Sequence, residues 1–196
     1  RFPGPLVDAL AALRLWAYEA TFPDVRGEGG GLYVFRIDPL PAADWIDATL
    51  DAGHLSYIPG LLRTDDRERL LEAIDDGLIT AEQLVDENRA ALEQVSGWAW
   101  WSASKLIGTL GHAWETTGAL LTLSGVDPGR VSLGAFLAAF YALIWREASA
   151  EDRLKLAAEV AAMPPELVSP DGVWDEDAAT DAVWAVLRAQ GHNIGG

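Results

Sequence analysis

The chain contains no cysteine. Disulfides, thiolate nucleophiles and Cys-ligated metal centres are therefore excluded, and the composition suits a cytosolic setting. Basic residues are scarce: 14 Lys and Arg stand against 30 Asp and Glu, a formal net charge of −16. Such a charge repels a phosphate backbone and an anionic bilayer, so neither nucleic acid nor membrane is expected as a partner. Long apolar runs are also missing. The longest uncharged stretch near the centre, Val131 to Trp145, falls short of the roughly 20 residues needed to span a bilayer. The opening RFPGPLVDAL shows no apolar region followed by a cleavage site, so no secretory signal is expected in it. It carries no initiator Met, and further residues are expected upstream.

What is present is a folding composition. Half of the 196 residues are hydrophobic, and mean hydropathy is slightly positive at +0.10. That excludes a disordered acidic tail. The length predicts a mainly α fold: a single-domain helical bundle of about seven helices around a buried central helical hairpin, with one short strand or extended segment. Three segments are expected: residues 1–31 as an N-terminal helix and Gly-rich hinge, 32–190 as the acidic helical domain, and 191–196 as a loose tail. The hairpin, residues 97–147, is nearly neutral. Its acids are Glu115, Asp127 and Glu147, against Lys105, Arg130 and Arg146.

Taken in order, Leu6, Leu10, Leu13 and Ala17 share one face of a helix over Pro5–Ala20. A strand over Arg14–Phe22 is the alternative, because Leu-Arg-Leu-Trp-Ala-Tyr also alternates. Gly27 to Gly31 lacks the Gly-Lys-Ser/Thr ending of a phosphate loop and reads as a linker. Leu32–Ile37 (LYVFRI) is the clear strand signal. Pro41 opens a helix through Leu50 that carries Trp45, Ile46 and Leu50. Thr64 caps Asp65–Asp76, with Leu70, Leu71 and Ile74 inward. Thr80 and Gln83 form a capping box for Ala81–Val95, whose inward set is Leu84, Val85, Leu92 and Val95.

The central helix, Trp98–Leu123, gathers Trp100, Ala103, Leu106, Ile107, Leu110, Trp114 and Leu121 on one side. Trp98, Trp101, Lys105, Thr109, His112 and Thr116 gather on the other. Ser124–Arg130 is a turn by composition. Ser132–Glu147 is apolar all round, with Leu133, Phe136, Leu137, Phe140 and Ile144 opposite an Ala135, Ala138, Ala139 and Ala142 face. Such a helix is expected to be buried. Ser149 caps Ala150–Ala162. After a Pro-Pro loop, a last helix, Trp174–Gln190, turns Val183, Val186 and Leu187 inward and packs Trp184.

Chemistry-bearing patterns are sparse. His112 and Glu115 have a metal-compatible spacing but no second His and no HExxH motif. The adjacent pairs Asp65-Asp66 and Asp75-Asp76 point about 100° apart on a helix, and first-turn Asp already has a dipole reason to be there. No GxSxG elbow and no EF-hand spacing occurs. No enzyme activity, cofactor or metal is expected. Trp98 and Trp101 sit on the polar side of their helix, as interface anchors, with Trp101 alternatively covered by the N-terminal segment of the same chain. Trp98, Trp101, Lys105 and His112 are therefore the candidate protein-interaction residues.

The order DPLPAADW (Asp38–Trp45), IPGLL (Ile58–Leu62), SGWAWWSASKLIG (Ser96–Gly108) and SGVDPGRVSLGAFLAAFYALI (Ser124–Ile144) resembles small acidic helical tail assembly chaperones of actinobacterial phages. The resemblance covers about Tyr33–Pro165. It implies a non-enzymatic protein of the host cytoplasm that binds the phage tape measure protein or other tail proteins and assists tail tube assembly. A structural virion component, such as a head–tail connector or tail-completion protein, is the alternative. Homo-oligomerisation stays open.

Overall fold

The computed structural model describes residues 17–25, 31–52 and 57–162. The fold is mainly helical with one small sheet: β1 (Tyr18–Pro23), β2 (Leu32–Ile37), α1 (Ala42–Ala52), α2 (Ile58–Leu61), α3 (Thr64–Asp75), α4 (Ala81–Ser96), α5 (Trp100–Leu123), α6 (Leu133–Glu147) and α7 (Ala150–Ala161). Leu6, Leu10 and Leu13, the helix expected at Trp174–Gln190 and the 191–196 tail lie outside the described residues. The described chain divides into two compact units, residues 18–38 with 48–91, and residues 39–47 with 92–162.

In the first unit, β1 and β2 form an antiparallel pair running from Tyr18 opposite Ile37 to Pro23 opposite Leu32. The expected helix over Pro5–Ala20 does not extend through Tyr18; the alternative strand forms there instead. Two strands replace the single one expected. The reason is period. Tyr18, Ala20 and Phe22 are buried while Glu19, Thr21 and Pro23 are exposed, the alternation of a half-buried strand. Phe22 and Phe35 meet edge to face at 5.9 Å between ring centres. The pairing crosses residue 31, so β1 belongs with the strand beyond the Gly-rich segment rather than with a helix before it.

The helices of this unit are set by their ends. Thr64, expected as a cap, is the first helical residue of α3, and Arg63 holds the capping position with no side-chain bond. Gly77 adopts φ +66°, and the Leu78 and Gly77 N–H groups bond Ala73 O and Ile74 O. That is a Schellman end, which needs a residue free to enter the left-handed region. The Thr80–Gln83 box closes as expected: Gln83 N–H donates to Thr80 Oγ1 at 3.2 Å and Thr80 N–H to Gln83 Oε1 at 2.8 Å. Leu70, Ile74, Leu84 and Val85 are buried. Leu50 is exposed. The periodicity gave no signal for Asn88, which is fully buried in α4. Its Oδ1 accepts the Ile58 N–H at 2.8 Å, its Nδ2 donates to Leu84 O at 2.6 Å, and its carbonyl accepts the Tyr57 hydroxyl. Asn88 thereby fixes the start of α2.

In the second unit, the 124–131 turn caps α1: Ala42 N–H donates to Val131 O and Ala43 N–H to Pro128 O. Trp45 and Ile46 are buried from α1. Trp100, Ala103, Leu106, Ile107, Leu110 and Leu121 of α5 face Leu133, Phe136, Leu137, Phe140 and Leu143 of α6 in one apolar core. At Gly134 a Cβ would stand 2.6 Å from Ser96 O, so only glycine allows α6 to approach that carbonyl. Burial all round α6 is not observed: Ala138 and Ala142 are exposed, and Leu143 replaces Ile144 as the fifth core residue. Alanine satisfies an apolar pattern but covers little area, so that face does not require a partner.

Candidate protein-interaction surface

α5 begins at Trp100 rather than at the expected Trp98, with Ala99 in the capping position, and its first turn meets the end of α7. The last carbonyls of a helix have no partner within it. On α7 they are met from α5: Trp101 Nε1–H donates to Ala161 O at 3.0 Å, Ser102 Oγ to Val160 O at 2.7 Å, and Lys105 Nζ to Glu159 O at 2.7 Å and to Ala162 O. The ammonium also sits where the helix dipole is negative. Val160 is the one buried residue of α7, and Leu154 is 74% exposed. At the other end, Ser149 Oγ accepts from Asp152 N–H at 3.1 Å, as expected for a cap. Arg153 donates to Trp145 O and Arg146 O at the end of α6. This helix is held more by capping bonds than by apolar area.

The four candidate residues therefore separate. Trp101 and Lys105 direct their polar groups to the end of α7; the N-terminal segment offered as an alternative cover for Trp101 lies outside the described residues. Trp101 also meets Trp100 edge to face at 5.7 Å. Trp98 is half-buried and lies edge to face against Tyr141 at 5.4 Å; Tyr141 in turn contacts Trp145 at 5.7 Å. His112 is exposed, its Nδ1 2.8 Å from Gly108 O, with Glu115 exposed one turn on. Among the described residues no group of three or more His, Asp or Glu could hold a metal.

Sequence reasoning missed Ser102, Tyr141 and Trp145. Ser102 reads as a neutral helix residue, and the aromatic row depends on how α6 docks. It also placed Trp114 in the core. Trp114 is 44% exposed, leaning over Gly118 and 6.5 Å from the Phe136 ring. Leu120 and Leu123, one turn apart on the same half of α5, are exposed by 48% and 84%. No helix among the described residues is long and apolar enough to cross a membrane. Comparison with protein-family models, curated proteins and solved structures finds no match.

Proposed function

We propose that this chain is a non-enzymatic phage tail assembly chaperone, acting in the host cytoplasm on the tape measure protein. The observation that carries the reading is the exposed apolar pair Leu120 and Leu123, one turn apart on α5, in a chain of net charge −16. Exposed apolar side chains at helical spacing suit an amphipathic helical client. The surplus of carboxylates adds repulsion between client-loaded copies and so opposes aggregation. The Trp98–Tyr141–Trp145 row, at the other end of α5, adds rigid aromatics of the kind that anchor interfaces. The resemblance of DPLPAADW and SGWAWWSASKLIG to the phage chaperones supplies the client's identity.

The test is a tagged pull-down from infected cells together with mass spectrometry of purified virions. Tape measure protein recovered from cells, with this chain missing from virions, is the expected result. Fixed copy number in virions would refute it and make the chain a structural component. Leu120→Ser with Leu123→Ser is expected to reduce client recovery without altering thermal unfolding.

A further inference from the structure

Among the described residues, one edge of the hairpin is left open. In an antiparallel pair, opposite residues either exchange their backbone bonds or both turn them outward. The Asp24 N–H donates to Gly31 O at 3.0 Å, which sets the exchanging pairs at Phe22–Tyr33, Ala20–Phe35 and Tyr18–Ile37. Pro23–Leu32, Thr21–Val34 and Glu19–Arg36 then turn outward. On β1 those groups are taken up by neighbours: Thr21 N–H donates to Glu87 Oε1 at 3.0 Å, and Pro23 O accepts from Gln83 Nε2 at 2.7 Å. On β2 the outward groups of Leu32, Val34 and Arg36 meet no partner among the described residues. Leu32 and Val34 are also 59% and 44% exposed. An edge of this kind is a template for another strand.

The opposite face of β2 adds selectivity. Half-buried Tyr33 lines a cleft of about 250 Å³ with Arg69, Glu72, Ala73, Asp76 and Leu78. Arg69 is engaged elsewhere, bonding Asp66 at 2.7 Å and lying over the Phe35 ring at 5.4 Å. Glu72 and Asp76 have no ion-pair partner among the described residues.

We infer that the free edge of β2 takes an extended peptide segment as a third strand, with apolar side chains beside Leu32 and Val34 alternating with lysine or arginine directed to Glu72 and Asp76. Backbone bonds would supply affinity and the alternation would supply specificity. A second copy of this chain suits the edge poorly. Each copy carries −16, and the cleft-side residues of a self-paired LYVFRI would be Tyr33, Phe35 and Ile37, none of them basic. This inference does not rest on the phage reading.

The test is fluorescence anisotropy of the full chain with a labelled, blocked heptapeptide alternating valine and lysine. Saturable binding is expected, and the peptide with glutamate in place of lysine is expected not to bind. Val34→Pro removes an N–H the hairpin does not use and is expected to weaken binding by at least about tenfold. Glu72→Gln with Asp76→Asn is expected to weaken it about tenfold. In the unmodified chain, saturating peptide is expected to slow amide exchange at Leu32, Val34 and Arg36, a readout that does not depend on any variant folding. Absence of binding, equal binding of the glutamate peptide, or unchanged exchange at those three amides would overturn the inference. A dimer in sedimentation that Val34→Pro abolishes would assign the edge to a second copy and overturn it too.

Discussion

The capping of α7 by α5 makes a quantitative expectation. Ser102→Ala removes a buried bond to Val160 O and leaves that carbonyl without its donor, a cost of about 1–2 kcal/mol. Lys105→Met keeps the aliphatic stem but removes the bonds to Glu159 O and Ala162 O and the charge at the helix end, worth about 1 kcal/mol at a partly exposed site. Burial of Val160, roughly 1.5 kcal/mol, is untouched by either change. The double variant should therefore lower the free energy of opening α7 by about 2 kcal/mol, a loss of about 30-fold in amide protection. Native-state hydrogen exchange reads this directly. Protection should fall across Leu154–Ala161 and hold in the buried turns of α6 around Phe136 and Phe140. Unchanged protection in α7 would mean that its attachment lies elsewhere. A uniform fall through α5, α6 and α7 would mean that α7 opens only with its whole unit. Either result refutes the capping argument.

Gly134→Ala forces a methyl group to within 2.6 Å of Ser96 O and is expected to lower stability by about 1–3 kcal/mol in denaturant unfolding; an unchanged midpoint would refute the close approach. Asn88→Ala strands the Ile58 N–H in the interior and should cost about 2 kcal/mol, with exchange at Ile58 the most accelerated. Burial pushes the Tyr18 hydroxyl above its ordinary value of 10.0, and the Glu87 carboxylate that accepts its proton at 2.9 Å pushes further. Because the folded value is the higher one, the unfolded chain loses this proton first. The stabilisation is complete below pH 10 and declines as pH rises beyond it. Tyr18→Phe should be less stable at neutral pH and should lose less stability between pH 10 and 12 than the unmodified chain; parallel alkaline profiles would exclude Tyr18 as the source.

Local chemistry was legible from the residues alone. The Thr80–Gln83 box, the Ser149 cap, the LYVFRI strand and the inward sets of α4 and the first half of α5 depend on side chains within a few residues of each other. Their energetics are therefore written in short windows. The mainly helical class follows from the same windows added together. Where two periods competed, at Arg14–Phe22, only pairing decided. Tyr18, Ala20 and Phe22 become a strand because β2 lies opposite and a buried face awaits them. The candidate surface shows the same division. Trp98, Trp101 and Lys105 were visible as an apolar and basic anomaly on a polar face. The roles of Trp101 and Lys105 were set by α7, whose terminal carbonyls lie 54 to 60 residues further along the chain, and that of Trp98 by Tyr141 of α6. The exposure of Trp114, the free edge of β2 and the burial of Asn88 likewise depend on what docks against each element. Sequence by itself determined which segments could form helices and strands and how their ends are capped. Tertiary structure alone decided which faces found partners, because burial is a property of two surfaces and a single window of sequence contains only one of them.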